Sequence, residues 1–100
     1  MRVFITRNIP DIGPAKLRAT GWEIDQWHSD EVIPRAALLE KVRGADAILS
    51  LLTERIDGEL LEAAGPQLKV VANLAVGFDN FVVGEMTQRH VIGTNTPEVL

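Results

Sequence analysis

Val70-Val71-Ala72-Asn73-Leu74-Ala75-Val76-Gly77-Phe78-Asp79-Asn80 is the stretch that decides the fold of this 100-residue chain. Its apolar start, Leu68 to Ala72, is the pattern of a strand buried on both faces. The chain then turns at Gly77 and offers Asp79 or Asn80 as the cap of a following helix. In an open α/β sheet the ligand crevice lies beyond the carboxyl ends of the strands, which is where a strand–glycine–helix turn belongs. A glycine is also enough simply to reverse the chain, and both readings stand at this point.

Working outward, the same alternation recurs. Arg2 to Thr6 reads as a first strand, with Val3 and Ile5 around Phe4, and Pro10, Gly13 and Pro14 mark the loop after it. Ile12, Ala15, Leu17 and Ala19 supply one helical face before Gly21. Trp22 to Trp27 alternates apolar and polar residues, the mark of an edge strand with one solvated face. Pro34 opens a helix with Leu38, Leu39 and Val42 as its stripe, and Gly44 stops it. Ala45 to Leu52 is a third strand. Ile56, Leu60, Leu61 and Ala64 recur at helical spacing, with Asp57 as cap and Gly65-Pro66 as stop. After the opening stretch, Phe81, Val82 and Met86 suggest a helix to about Arg89, and Val91-Ile92 starts a fifth strand.

Five strands alternating with helices predict an α/β fold, a flavodoxin-like, doubly wound parallel sheet in the order 2-1-3-4-5 with helices on both sides. Thr96-Pro97-Glu98 announces another helix that Leu100 cuts short, so the chain reads as truncated, the front part of something longer.

Composition narrows the function. An apolar content of 46% supports a real core, and 24% charged residues speaks against disorder. A net charge of −4 with no basic run argues against a nucleic-acid surface. With no cysteine, disulfides and thiolate metal sites are excluded. The start of the chain turns polar too quickly for a signal peptide, no run is long enough for a membrane span, and a cytoplasmic location is expected. His28 and His90 lack ligand spacing, and His28 reads as a solvated surface residue. None of the eight glycines stand two apart, so no G-x-G-x-x-G loop occurs. Thr6-Arg7-Asn8 and Ser50-Leu51-Leu52 lack the carboxylates of a phospho-receiver, and Arg7-Asn8-Ile9-Pro10 is not a flavin phosphate loop.

The strand-end loops could hold the carboxylate of a small acid. Backbone N–H groups around Val76 and Gly77 can point into the crevice because glycine permits the required turn. Two hydrogen bonds to a charged group at about 1.5–3 kcal/mol each give about 3–6 kcal/mol, near the millimolar range before binding costs.

Val70 to Asn80, followed by Thr94-Asn95-Thr96-Pro97-Glu98-Val99-Leu100, closely resembles the D-isomer-specific 2-hydroxyacid dehydrogenases, and within them the glyoxylate/hydroxypyruvate reductases. Arg2 to Arg7 with Ile9-Pro10, and Leu52-Thr53-Glu54-Arg55-Ile56-Asp57, fit the same group. The resemblance implies that residues 1–100 are the N-terminal segment of a substrate-binding domain, with the nucleotide-binding domain absent. It places the substrate carboxylate on the Val76 and Gly77 amides and Leu52 on the opposite wall. Aliphatic Leu51-Leu52, in place of the charged or serine-rich loop of the phosphoglycerate enzymes, favours a small unphosphorylated acid. The family's catalytic arginine, glutamate and histidine fall beyond Leu100, so no residue here is assigned as catalytic, and Arg7, Arg55 and His90 do not take those places. The complete enzyme is expected to use NADH or NADPH and to dimerise; the 100 residues alone are expected to bind no cofactor and to have no turnover. A non-enzymatic small-acid or partner-binding module, truncated or corepressor-like, is the alternative.

Two departures from the family pattern stand out. His90 occupies a place where the family usually has glycine, which predicts a left-handed turn there, and Gly93 replaces a valine. Glycine is expected to weaken a central strand at that point by about 0.5–1 kcal/mol.

Overall fold

The structure is a computed structural model that describes residues 2–7, 21–74 and 77–95. Five parallel strands form one sheet: β1 (Arg2–Ile5), β2 (Glu23–Gln26), β3 (Ala47–Ser50), β4 (Val70–Asn73) and β5 (Ile92–Asn95). Their order is β2-β1-β3-β4-β5, the order the sequence predicts. Three helices are described, α1 (Arg35–Lys41), α2 (Gly58–Ala64) and α3 (Val83–Gln88). The expected helix around Ile12 to Ala19 and the one announced at Thr96-Pro97 lie outside the described residues.

Register explains the core. Phe4, Ile48 and Val71 are successive cross-strand partners, so they form one row across the sheet. All three are buried and share a cluster with Leu38 and Val42 beside α1, with Leu60, Leu61 and Ala64 of α2, and with Met86 of α3. The three described helices therefore all cover this face. Val3 and Ile5 alternate with Phe4 and are buried on the opposite one. A fully buried side chain of this size contributes about 1.5–3 kcal/mol, so this row and its cover dominate the stability.

Helix ends follow local chemistry. Asp57 caps α2 as predicted, its carboxylate accepting from the Leu60 N–H at 3.1 Å. Burial pushes the Asp57 carboxyl upward, but the Leu60 N–H and the Arg35 guanidinium outweigh this and hold it below its ordinary value. Gly44 and Gly65 close α1 and α2 with φ of 80° and 103°. Pro34 sits one residue outside α1, at its cap position.

Several expectations are corrected. Neither Asp79 nor Asn80 caps α3; Val82 occupies that position with no side-chain cap, and Asn80 is buried instead. Phe81 and Ile56 lie outside the helices and pair with each other in a short parallel bridge. The edge position of β2 holds, but its alternation is broken at Gln26, which is 8% exposed and donates to the Arg7 carbonyl at 3.3 Å. His90 is left-handed as predicted, with φ of 57°. Gly93 lies on an edge strand of the described sheet, not a central one, and its role is space. A Cβ there would stand 2.8 Å from Phe81 Cε2 and 2.9 Å from Met86 Cε. Gly93 is the register partner of Val71, so Phe81 and Met86 fill the place its side chain would take at the end of the core row.

Candidate functional site

The carboxyl ends of β1, β3 and β4 carry Thr6, Ser50 and Asn73, each 1% exposed. Polar groups this deeply buried require partners, and the two loops that follow β3 and β4 supply them.

The loop after β3 folds back on itself, with the Glu54 N–H donating to the Leu51 carbonyl at 3.1 Å. That turn buries the Glu54 carboxylate at the end of β1. The Leu51 N–H donates to Glu54 Oε1 at 3.1 Å, and the hydroxyls of Thr6 and Thr53 donate to its two oxygens. Arg7 stands beside it, with Nη2 at 3.7 Å from Glu54 Oε2 and donating to Thr53 Oγ1 at 2.8 Å. The charge of Glu54 is thus answered by one guanidinium and three donors, and Leu52 is left at the top of the turn, 49% exposed.

The loop after β4 is fixed by two facing carboxamides. Asn73 Nδ2 donates to Asn80 Oδ1 at 2.6 Å, and Asn80 Nδ2 returns to Asn73 Oδ1 at 3.1 Å. Asn73 Nδ2 also donates to the Gly77 carbonyl at 3.1 Å, while Ser50 Oγ donates to Asn73 Oδ1 at 2.7 Å. Asn80 Nδ2 reaches across to the other loop, donating to the Glu54 carbonyl at 2.8 Å and the Leu51 carbonyl at 3.2 Å. The Ile56 N–H donates to the Asn80 carbonyl and the Val82 N–H to the Ile56 carbonyl, both at 2.9 Å, closing the two loops together.

Two of the three predicted site residues are brought together by this frame. A Cβ on Gly77 would lie 3.8 Å from Leu52 Cδ2, so the two face each other across the crest of the sheet. Val76 lies outside the described residues. The reason given for Gly77 needs revision: among the described residues the left-handed glycines are Gly21, Gly44 and Gly65, and Gly77 is not one of them. What glycine provides here is an open space opposite Leu52 rather than an unusual backbone. Sequence reasoning missed Glu54, Asn73 and Asn80 as the frame. The signal was available in Asn73, a polar residue closing an apolar strand, a pattern that demands a buried partner; Glu54, between Thr53 and Arg55, carries no such signal.

Arg7 is paired as described and does not open into the cleft as a free cation. His28 and His90 are both exposed. Among the described residues no group of His, Asp and Glu could hold a metal ion, and no helix is long and apolar enough to cross a membrane. The end of β1 is occupied by the buried Glu54 carboxylate.

Comparison with known proteins gives the family. The profile of the family described as "D-isomer specific 2-hydroxyacid dehydrogenase, catalytic domain" matches residues 3–100. Glyoxylate reductase of Thermococcus gammatolerans is 52% identical over 99 residues, which is 99% of this chain and 29% of the relative. The human glyoxylate reductase/hydroxypyruvate reductase is 43% identical over 101 residues, covering 100% of this chain and 31% of its own length. The crystal structure of the TT0316 protein from Thermus thermophilus superposes with a TM-score of 0.93 at 35% identity, over 100% of this chain and 32% of that one. The chain thus spans 29% to 31% of the length of these curated relatives. On its sequence match, its strand order and its fold, the chain belongs to the D-isomer specific 2-hydroxyacid dehydrogenase family.

Proposed function

We propose that this chain is the N-terminal segment of the substrate-binding domain of an NAD(P)-dependent D-2-hydroxyacid dehydrogenase that reduces glyoxylate, hydroxypyruvate or a similar small 2-keto acid. The observation that carries the reading is the facing of Leu52 and Gly77 over a buried polar frame at the carboxyl ends of β3 and β4. In this reading the amides of Val76 and Gly77 hold the substrate carboxylate and Leu52 packs on its other side. The similarity to reductases named for glyoxylate and hydroxypyruvate supports the substrate class. An aliphatic Leu52 offers contact to a two- or three-carbon acid and nothing to a phosphate.

NADH or NADPH would serve the complete enzyme as hydride donor. The 100 residues alone would only bind and orient the acid, at millimolar affinity at best. A homodimer is proposed for the complete enzyme.

The test joins residues 1–100 to the remainder of the Thermococcus gammatolerans reductase and follows nicotinamide oxidation. Glyoxylate-dependent turnover by the chimera, with none by the chain alone, supports the reading. A folded chimera that turns over neither glyoxylate nor hydroxypyruvate contradicts it, as does turnover by the unaccompanied chain.

A further inference from the structure

We propose that Asn80 is a positioning residue that sets the separation between the Leu52 and Gly77 sides of the acid site. The inference rests on the proposed carboxylate site and adds the element that fixes its width. Asn80 is 9% exposed and, with its side chain committed to partners below the crest, is not itself a ligand for the acid. Its Nδ2 donates to the Leu51 and Glu54 carbonyls of one loop and is shared with Asn73 Oδ1, and its Oδ1 accepts from Asn73, whose own Nδ2 also holds the Gly77 carbonyl. One carboxamide therefore bonds to the residue before Leu52 and, through a single intermediate, to Gly77 itself. Asparagine alone suits the position, since it combines two donors and an acceptor at fixed spacing; aspartate would set an acceptor against the Leu51 and Glu54 carbonyls. The Glu54 carboxylate has a different task. It holds its own turn, accepting from the Leu51 N–H and the Thr6 hydroxyl at Oε1 and from the Thr53 hydroxyl at Oε2.

Coupling of this kind predicts that the frame responds when the site fills. A displacement of about 1 Å in a binding constellation costs up to about a hundredfold, so loosening this one link should be legible in affinity. The experiment is an amide and side-chain NMR titration of the chain with oxalate, a non-reacting analogue of a small 2-keto acid. In the wild type the Asn80 carboxamide pair should shift along with the Gly77 amide and the Leu52 methyls, on one saturation curve. Asn80→Ala should keep the amide pattern of β1 and β3 and weaken oxalate by about ten- to a hundredfold, while Glu62→Gln, on the exposed side of α2 beside Arg89, stays within about twofold. A wild-type titration in which Gly77 moves and the Asn80 carboxamide does not overturns the proposal, whether or not the alanine variant folds. So does a folded Asn80→Ala that binds oxalate like the wild type, or a Glu62→Gln that is weakened equally. Absence of any shift at both Gly77 and Leu52 in the wild type takes down the site reading itself, and this proposal with it.

Discussion

Replacing Gly77 by alanine separates two reasons a glycine can be required, and the structure predicts opposite signs for stability and binding. Gly77 is not left-handed, so alanine meets no backbone penalty there. The nearest described atom to the added methyl is Leu52 Cδ2 at 3.8 Å, an ordinary van der Waals separation. The variant should therefore gain about 0.4–1 kcal/mol by restricting the unfolded chain, which is about 2–8 °C in melting temperature for a domain of this size. The same methyl stands where the acid is proposed to lie. Loss of one charge-assisted hydrogen bond, about 1.5–3 kcal/mol, weakens binding by about ten- to a hundredfold. Melting curves with and without oxalate read both quantities in one assay. With a Kd of about 1 mM, about 20 mM oxalate stabilises the wild type by about 1.8 kcal/mol, and a tenfold weaker site by only about 0.6 kcal/mol. A variant that melts well below the wild type without ligand would show that the backbone needs glycine after all. A variant that keeps the full oxalate-induced shift would show that the space opposite Leu52 is not the acid site.

Three further substitutions test the surrounding frame. Gly93→Ala places a Cβ within 2.8–2.9 Å of Phe81 and Met86, and this overpacking should cost about 1–3 kcal/mol in denaturant unfolding. His90→Gly relieves a left-handed residue with φ of 57° and should raise stability by about 1 kcal/mol, read as a higher melting temperature. Asp57→Asn keeps the cap of α2 but removes a carboxyl held below its ordinary value of 3.8. A carboxyl lowered in the fold stabilises fully above that value and loses its contribution as pH falls through the folded value. The wild type should thus lose stability on acidification below about pH 4 by an amount the asparagine variant does not share, measured as the difference between their melting curves from about pH 7 to about pH 2.5.

Much of this fold was legible because its strands and helices are set by apolar period and by glycine and proline. Gly44 and Gly65 end helices where they were expected, and the order of the sheet follows from the polar second strand and the apolar third and fourth. The misreadings share a cause: a residue's local preference was outweighed by a partner distant in sequence. Asn80 has the preference of a helix cap, yet Leu51, Glu54 and Asn73 claim its side chain, and buried amides go where their hydrogen bonds can all be made. Gly93 looks like a weakened strand until Phe81 and Met86 are seen to occupy the space above it. Gly77 was legible as a strand-end turn and Leu52 came through resemblance to a family, whereas the buried frame beneath them becomes visible only when Thr6, Ser50 and Asn73 line up across the sheet.

The central claim is that the crest between Leu52 and Gly77 receives the carboxylate of a small acid, and a titration of the labelled chain with oxalate against sulfate tests it most directly. The account predicts saturable shifts with oxalate at the Gly77 amide and the Leu52 methyls, with a Kd of about 1 mM or weaker, and little response there to sulfate. Shifts confined to the neighbourhood of Arg35 and Arg55, equal for both anions, would mean that oxalate merely follows surface charge and would contradict the claim.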